Sequence, residues 1–172
     1  MNLEISIDKN LNVEETYKVL LLQIENLINI NDPLITNLSN ITAALNQTFE
    51  KISWVGFYFS KDNFLYLGPF QGKVACTKIK LGNGVCGKSA ENKQTIVVPN
   101  VHEFSGHIAC DVETNSEIVI PIIIKNEIIG VLDLDSKLFS AFNEIDVYYL
   151  ENICELISKK LDLSSNKIYQ IL

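Results

Sequence analysis

The sequence has 172 residues, of which 47% are hydrophobic and 20% charged, a composition typical of a folded globular domain rather than of a disordered chain. Its net charge of -7 argues against binding to nucleic-acid backbones or to anionic membranes. No apolar run approaches the roughly 18 residues of a membrane span, and residues 1–11 lack the basic start and apolar block of a signal peptide. We therefore expect a cytoplasmic protein whose four cysteines are catalytic, metal-binding or buried rather than structural disulfides.

Two amphipathic helices are predicted in the first 48 residues. Residues 13–30 carry apolar side chains three and four positions apart, which predicts a helix with one apolar face. Asp32-Pro33 is typical of an N-cap followed by proline in the first helical turn. The second helix then places four apolar side chains on one face: Leu34, Leu38, Ile41 and Leu45. We interpret both helices as packing layers or an interface, without chemistry.

From Ile52 the pattern changes to that of a sheet. Aromatic and β-branched residues, separated by turn formers, predict three consecutive strands. These are residues 52–59, 64–70 and 74–80. Residues 85–93 then predict a short helix, and residues 95–98 a short strand.

The second half of the sheet region contains a long loop and a hairpin. Residues 100–115 have no clear period, and loops of this length in compact domains are often functional. Residues 117–124 and 127–135 are strongly apolar runs joined by Lys125-Asn126, which predicts a β-hairpin at the centre of the sheet.

A final helix is predicted from Glu144 to about Leu161, capped by Asn143, with the last ten residues fraying. Its predicted buried face comprises Ile145, Tyr149, Ile153, Leu156 and Ile157. This order of elements predicts an α+β fold, a central antiparallel sheet with helices layered on it. Since no repeat or linker is visible, we expect a single domain over residues 1–172. Within it, residues 1–48 hold the N-terminal helices, 51–135 the sheet and active-site loops, and 143–161 the C-terminal helix.

Three cysteines fall within the sheet region. Cys110 lies in the irregular loop, where a thiol can ionise and attack a substrate more easily than one locked in a core. Cys76 lies on or beside a strand, and Cys86 opens the short helix, whose dipole is expected to lower its thiol pKa. If either lies within disulfide range of Cys110, roughly 4.4–6.8 Å between Cα atoms, the two form a catalytic and resolving pair. Cys154, on the apolar face of the last helix, is predicted to pack as a small hydrophobe.

Two other interpretations of the thiols stay open. The three cysteines could be separate small residues of the core. Alternatively, Cys76, Cys86, Cys110 and His107 have the ligand types of a zinc site, although their spacing lacks the paired C-x₂-C knuckle of structural zinc.

Carboxylates and aromatic residues suggest a ligand pocket beside these thiols. Asp133 and Asp135 stand two apart on a predicted strand, so they share one side of the sheet. Buried acids are costly without a partner, so they could pair with a lysine or bind a ligand's cation, or one of them could stay protonated and act as a proton donor. The plainer alternative is a strand end in water. Trp54 and Tyr58 also share one side of a strand, where they could wall a small apolar pocket or simply pack in the core.

Six segments carry a resemblance to a known family. They are Trp54–Tyr58, Leu67–Gly72, Gly84–Gly87, His107–Asp111, Ser116–Pro121 and Gly130–Ser136. Together they resemble the free methionine-(R)-sulfoxide reductases, which are built on a GAF fold. The cysteine-bearing segments are the specific ones, because most GAF domains lack all three thiols.

The resemblance implies roles for eight residues. Cys110 is the attacking nucleophile and Cys76 and Cys86 serve to resolve it, with Cys86 as nucleophile an open alternative because assignments vary within the family. Glu117 or Asp135 protonates the sulfoxide oxygen. The residues that line the substrate pocket are Trp54, Tyr58, Glu117, Asp133 and Asp135.

The implied activity is the thiol-dependent reduction of free L-methionine-(R)-sulfoxide, through a cysteine sulfenic acid and an intramolecular disulfide. The resemblance implies thioredoxin as reductant, no cofactor or metal, and a homodimer for which the N-terminal helices would suit an interface. Two rival functions are a non-catalytic GAF domain that senses a small molecule and a zinc-stabilised interaction module.

Overall fold

An antiparallel sheet forms the centre of the structure, a computed structural model that describes residues 4–108, 110–164 and 168. The helices in this part of the chain are α1 (Val13–Leu27), α2 (Leu34–Thr48), α3 (Gly84–Asn92) and α4 (Glu144–Lys160), with a 3₁₀ turn at Val101–Glu103. The strands are β1 (Trp54–Lys61), β2 (Phe64–Gln71), β3 (Lys78–Lys80), β4 (Ile96–Val98), β5 (Ser116–Ile124) and β6 (Glu127–Ser136). Their order in the sheet is β3-β2-β1-β6-β5-β4. The predicted α+β class and the central β5–β6 hairpin are confirmed.

The two faces of this sheet have different environments. Because side chains alternate along a strand, Val55, Phe57 and Phe59 of β1 enter the large core shared with α1, α2 and α4. Their neighbours Trp54 and Tyr58 point to the opposite face, where a smaller core includes residues of α3. The site residues predicted on β1, β5 and β6 all lie on this second face.

A buried ion pair ties the helical layer together. The Asp146 carboxylate is fully buried and accepts hydrogen bonds from Lys51 Nζ at 2.6 Å and from Tyr17 Oη at 2.7 Å. It also accepts from the backbone N–H of Asn143, completing the capping box of α4. One carboxylate thus joins α1, α4 and the segment before β1.

Several predicted helix boundaries were wrong by a few residues. Helix α1 ends at Leu27 rather than residue 30, because the Asn37 side chain pairs with the backbone N–H and C=O of Asn29 in place of helical partners. Asp32 is not the N-cap of α2. Pro33 takes that position, with its carbonyl accepting from the Thr36 N–H, and the helix begins at Leu34.

Three other details differ from the predictions. Only Lys78–Lys80 of the predicted strand 74–80 pairs with β2, so Cys76 lies in the loop before β3. Ile145 is 38% exposed, because the buried face of α4 is centred on Asp146, Leu150 and Ile153. The fraying expected of the last ten residues is wrong for Leu163 and Ile168, which are buried in the large core; residues 165–167 and 169–172 lie outside the described part.

No helix among the described residues is both long and apolar enough to cross a bilayer.

Candidate active site

A cavity opens on the face of the sheet opposite the large core. Its walls come from β1, β5, β6 and the start of α3, and its mouth from the loops before β3 and before β5. It encloses about 560 Å³ of empty space, the open mouth included. The side chains on its walls that can take part in binding or catalysis are Trp54, Tyr58, Cys86, His107, Cys110, Glu117, Asp133 and Asp135. Seven of the eight predicted site residues are therefore on this wall, and the eighth, Cys76, is bonded to one of them.

A disulfide joins the two loops at the mouth. Cys76 and Cys110 are bonded, with their Cα atoms 5.8 Å apart and 34 positions apart in the chain. Cys110 is exposed and Cys76 half-buried. This pairing brings together two of the three predicted thiols and leaves Cys86 free. It also rules out the zinc set of Cys76, Cys86, Cys110 and His107 in this structure, because two of its sulfurs are bonded to each other.

Cys86 is buried deep in the cavity rather than activated by its helix. It lies in the first turn of α3, with its sulfur 3.9 Å from the Glu117 carboxylate. Burial raises the pKa of the Cys86 thiol well above its usual value, and the nearby acids Asp133 and Glu117 raise it further. The prediction that the helix dipole lowers this pKa was wrong, because desolvation and like charge outweigh it. Cys154 is buried within the large core, as predicted.

Three carboxyl groups converge below the disulfide. Asp133 and Asp135 share a face of β6, and Glu117 faces them from β5. Burial raises the pKa of all three, and like charge adds to it: Asp135 acts on Glu117, Glu117 on Asp133, and Asp133 on Asp135. Glu117 and Asp133 are each only 6% exposed. These groups therefore hold their protons to higher pH than ordinary carboxyls.

The acid cluster has no positively charged partner in His107, and one of its oxygens has no hydrogen-bond donor among the described residues. The Nε2 of His107 lies 3.5 Å from Glu117, but partial burial lowers the pKa of His107, which favours the neutral ring. The Oδ1 atom of Asp133 is buried without a hydrogen-bond partner among the described residues. An acidic cluster with an unpaired oxygen suits a ligand that brings hydrogen-bond donors or positive charge.

The same cluster has the donor types of a metal site. The Cys86 sulfur and one oxygen each of Glu117 and Asp133 lie within 4.8 Å of one another. A thiophilic divalent ion could be held by these three groups.

An aromatic wall lies beside the acids on the same face of the sheet, where Trp54 of β1 pairs directly with Asp135 of β6. The Trp54 indole stacks on Tyr58 and on Phe70, with ring centroids 6.0 and 5.5 Å away, and its N–H donates to the Lys73 carbonyl at 3.0 Å. The Tyr58 hydroxyl donates to the Cys76 carbonyl at 3.0 Å, which links this wall to the disulfide. Gly56, between them, leaves the space that the indole occupies: a Cβ there would lie 2.3 Å from a Trp54 ring carbon.

Two residues in this region, Phe70 and Lys73, make contacts that were not predicted from the sequence. Phe70 stacks on Trp54; it belongs to the Leu67–Gly72 segment, but no role was assigned to it. Lys73 bridges the two loops by ion pairs to Asp111, at 3.0 Å, and to Glu113. An exposed lysine carries no sequence signal for such a role beyond its place near Cys76.

Known proteins share the fold and much of the sequence of this chain. The model of the GAF domain family matches residues 36–162, so the fold and the site define a GAF-domain protein with a thiol-bearing cavity. The free methionine-R-sulfoxide reductases of Escherichia coli (strain K12) and Saccharomyces cerevisiae are 44% and 43% identical to this chain. The E. coli match covers 77% of this chain and 81% of the relative, and the yeast match 90% and 91%. The structure of free methionine-R-sulfoxide reductase from Neisseria meningitidis in complex with its substrate is 36% identical, with a TM-score of 0.87, and the match covers 95% of this chain and 96% of that one.

The chain belongs to the free methionine-(R)-sulfoxide reductases, as its six motif segments indicated.

Proposed function

We propose that this protein reduces free L-methionine-(R)-sulfoxide to methionine, with thiols as the source of electrons. The observation that carries the proposal is the Cys76–Cys110 disulfide at the mouth of a cavity that combines buried acids with an aromatic wall. Sulfoxide reduction needs a nucleophilic thiol that can end in a disulfide, a proton donor and an apolar surface for the methyl group. Relatives that are 43–44% identical and named for this activity support it.

The reaction begins in the reduced enzyme. The Cys110 thiolate attacks the sulfoxide sulfur, and a cavity acid gives its proton to the sulfoxide oxygen. The oxygen passes to Cys110 as a sulfenic acid and methionine leaves. The substrate sulfur gains two electrons and Cys110 loses two. The Cys76 thiol then condenses with the sulfenic acid, which forms the disulfide and releases water.

Cys110 is a better nucleophile than Cys86 in this arrangement. Cys110 is exposed at the cavity mouth, whereas Cys86 is buried and its pKa is raised, so its thiolate is scarce near neutral pH. Cys86 is then left as a neutral thiol beside Glu117.

The acids take two separate roles in this proposal. Glu117 or Asp135 gives the proton, because burial raises the pKa of each, so that it holds its proton to a higher pH than an ordinary carboxyl. Asp133, or one of its acidic neighbours, binds the substrate ammonium, whose charge stabilises the ionised carboxylate. A residue within a peptide lacks that ammonium, so the same pairing selects the free amino acid. Trp54 packs against the substrate's methyl group.

The proposal extends to the surroundings of the enzyme. Thioredoxin is the reductant that returns the disulfide to two thiols, and the cytoplasm is the compartment that keeps them reduced. The protein forms a homodimer through its N-terminal helices, where Leu22 on α1 is 62% exposed and Ile35 on α2 is 45% exposed.

The test is the consumption of free L-methionine-(R)-sulfoxide with dithiothreitol or thioredoxin, after the thiols have been confirmed reduced. The S epimer and an N-acetylated substrate are the controls, and neither is expected to react. Loss of the free R epimer alone supports the proposal. Binding of the sulfoxide without turnover would contradict it and favour a non-catalytic sensor.

A further inference from the structure

Two strongly exposed apolar side chains flank the disulfide. Val74 is 88% exposed and precedes Cys76 by two positions, and Val112 is 86% exposed and follows Cys110 by two. Ile108, which is 38% exposed, adds a third apolar side chain on the Cys110 loop. We call Val74, Ile108 and Val112 the disulfide rim. None of the three has a role in the chemistry proposed above.

The charges beside the rim are paired with each other. Lys73 binds Asp111 and Glu113, and Lys137 also binds Glu113, at 3.0 Å. These four side chains carry two positive and two negative charges, so this group has no net charge, although the whole chain carries -7. A partner surface can therefore approach here without the repulsion that the acidic surface would otherwise impose on an acidic protein.

The disulfide has to be opened from this side. Cys110 is exposed, whereas Cys76 is half-buried and its carbonyl accepts a hydrogen bond from the Tyr58 hydroxyl. Cys86 and Cys154, the other thiols, are buried single groups and cannot supply the two electrons that reopening requires. An external donor must bring a thiolate in line with the sulfur–sulfur bond, and a protein donor must lay its surface on what surrounds that bond.

We propose that the disulfide rim is the docking surface for a protein dithiol reductant that attacks the sulfur of Cys110. The inference rests on the proposed function, which makes the disulfide part of a catalytic cycle. Such a partner presents a reactive thiol within an apolar contact surface, and Val74 and Val112 each lie two positions from a cysteine of the disulfide. Exposed apolar side chains of this kind give binding energy when a partner removes them from water.

The partner's dithiol reduces the Cys76–Cys110 disulfide in two exchange steps. The partner's first thiolate bonds to the Cys110 sulfur and the Cys76 sulfur leaves as a thiolate, which takes a proton from water. The partner's second thiolate then attacks the sulfur of the partner's first cysteine in the mixed disulfide and releases Cys110 as a thiolate. Two electrons have passed from the partner's dithiol, which leaves as a disulfide.

The test compares two reductants on the oxidised protein without sulfoxide, by counting the thiols that appear with time. A charge of either sign in the rim should hinder burial against a protein but not attack by a small thiol. We expect Val112→Glu and Val112→Lys each to slow reduction by low concentrations of thioredoxin about tenfold, with the rate for dithiothreitol unchanged. Val74→Glu should behave alike, whereas Tyr148→Glu, which adds a charge at a 61% exposed position on α4, should leave both rates unchanged.

These experiments distinguish failure of the docking surface from failure of the proposed sulfoxide reduction. Equal thioredoxin rates for wild type and both Val112 variants would overturn the docking surface and point to a small thiol or another face. Opposite effects of Glu and Lys would also overturn it, because they would show long-range charge rather than contact. If the disulfide is reduced as expected but no sulfoxide is consumed, the proposed function fails and the docking surface stands.

A trapping experiment tests the point of attack. Thioredoxin that retains only its first cysteine cannot complete the second step, so the mixed disulfide accumulates. Mass spectrometry of the digested complex should find the bond on Cys110. A bond on Cys76 would contradict the proposed direction of attack.

Discussion

Glu117 and Asp135 are directly paired residues of the β5–β6 ladder, so their side chains stand opposite each other on one face of the sheet. Like charges in this position are destabilising, and Asp133 adds a third carboxyl on the same face. The register of one hairpin therefore sets up the acid cluster. Its cost is reduced when protons, or a cationic ligand, neutralise the charge.

This cost predicts how stability depends on pH. In the unfolded chain the carboxyls titrate near their ordinary pKa, 3.8 for Asp133 and 4.5 for Glu117, whereas in the folded protein their pKa is raised. Between the ordinary and raised pKa the folded state binds more protons, so the free energy of unfolding falls as pH rises through that window. We expect Asp133→Asn to remove part of this fall, as measured by urea denaturation at several pH values. Asp62→Asn, at an exposed turn acid, is the control, and identical pH profiles for wild type and Asp133→Asn would contradict the prediction.

The proton donor can be identified from the pH dependence of kcat. A donor must be protonated, so turnover should fall as pH rises through the raised pKa of that acid. Glu117→Gln and Asp135→Asn each remove one candidate. The donor's variant should lose about 10²–10⁴-fold in kcat and lose the alkaline fall, whereas the other should retain that fall. If both variants keep the wild-type profile, neither acid is the donor.

Single-turnover experiments on cysteine variants should distinguish the roles of the thiols. Cys110→Ser is expected to abolish methionine formation with any reductant, because it removes the nucleophile. Cys76→Ser should still form about one methionine per chain and then accumulate a sulfenic acid that dimedone traps. Cys154→Ala, in the large core, is the matched control and should cycle normally. Full turnover by Cys110→Ser would move the nucleophile to Cys86.

Trp54 provides a direct signal from the cavity, since it is the only tryptophan in the sequence. Substrate binding should change its fluorescence. Gly56→Ala places a methyl group against the indole, so we expect it to raise KM and to lower the free energy of unfolding by about 1–3 kcal/mol. Substrate titration and thermal denaturation measure the two effects, and an unchanged KM would show that the indole position does not matter for binding.

The buried ion pair between Lys51 and Asp146 should dominate the stability of the helical layer. Lys51→Met leaves the buried Asp146 carboxylate without its cation, and we expect a loss of about 3–5 kcal/mol in urea denaturation. The double variant Lys51→Met/Asp146→Leu should recover part of that loss. Lys18→Met, which breaks an exposed pair with Glu14, is the control and should change stability little. A loss from Lys51→Met no greater than that control would refute the prediction.

Features that depend on local periodicity were predictable from the sequence, and those that depend on long-range burial were not. The alternation on β1 and β6 correctly placed Trp54 with Tyr58, and Asp133 with Asp135, on common faces. The thiol pKa of Cys86 was misjudged because its position in a helix is visible in the sequence, whereas the carboxyls packed around it come from β5 and β6. The resemblance named both Cys76 and Cys86 as resolving thiols, and only the three-dimensional arrangement selects Cys76 as the partner of Cys110.

The Cys76–Cys110 bond closes a loop that contains β3, α3 and β4. Closing a loop with 34 positions between its ends removes conformational entropy from the unfolded chain, which by the chain-entropy model stabilises the oxidised protein by about 4 kcal/mol. Reduction releases that constraint just as the enzyme becomes ready for substrate. The active form should therefore melt at a lower temperature than the resting form, and heat inactivation should be fastest where reductant is plentiful and sulfoxide is scarce.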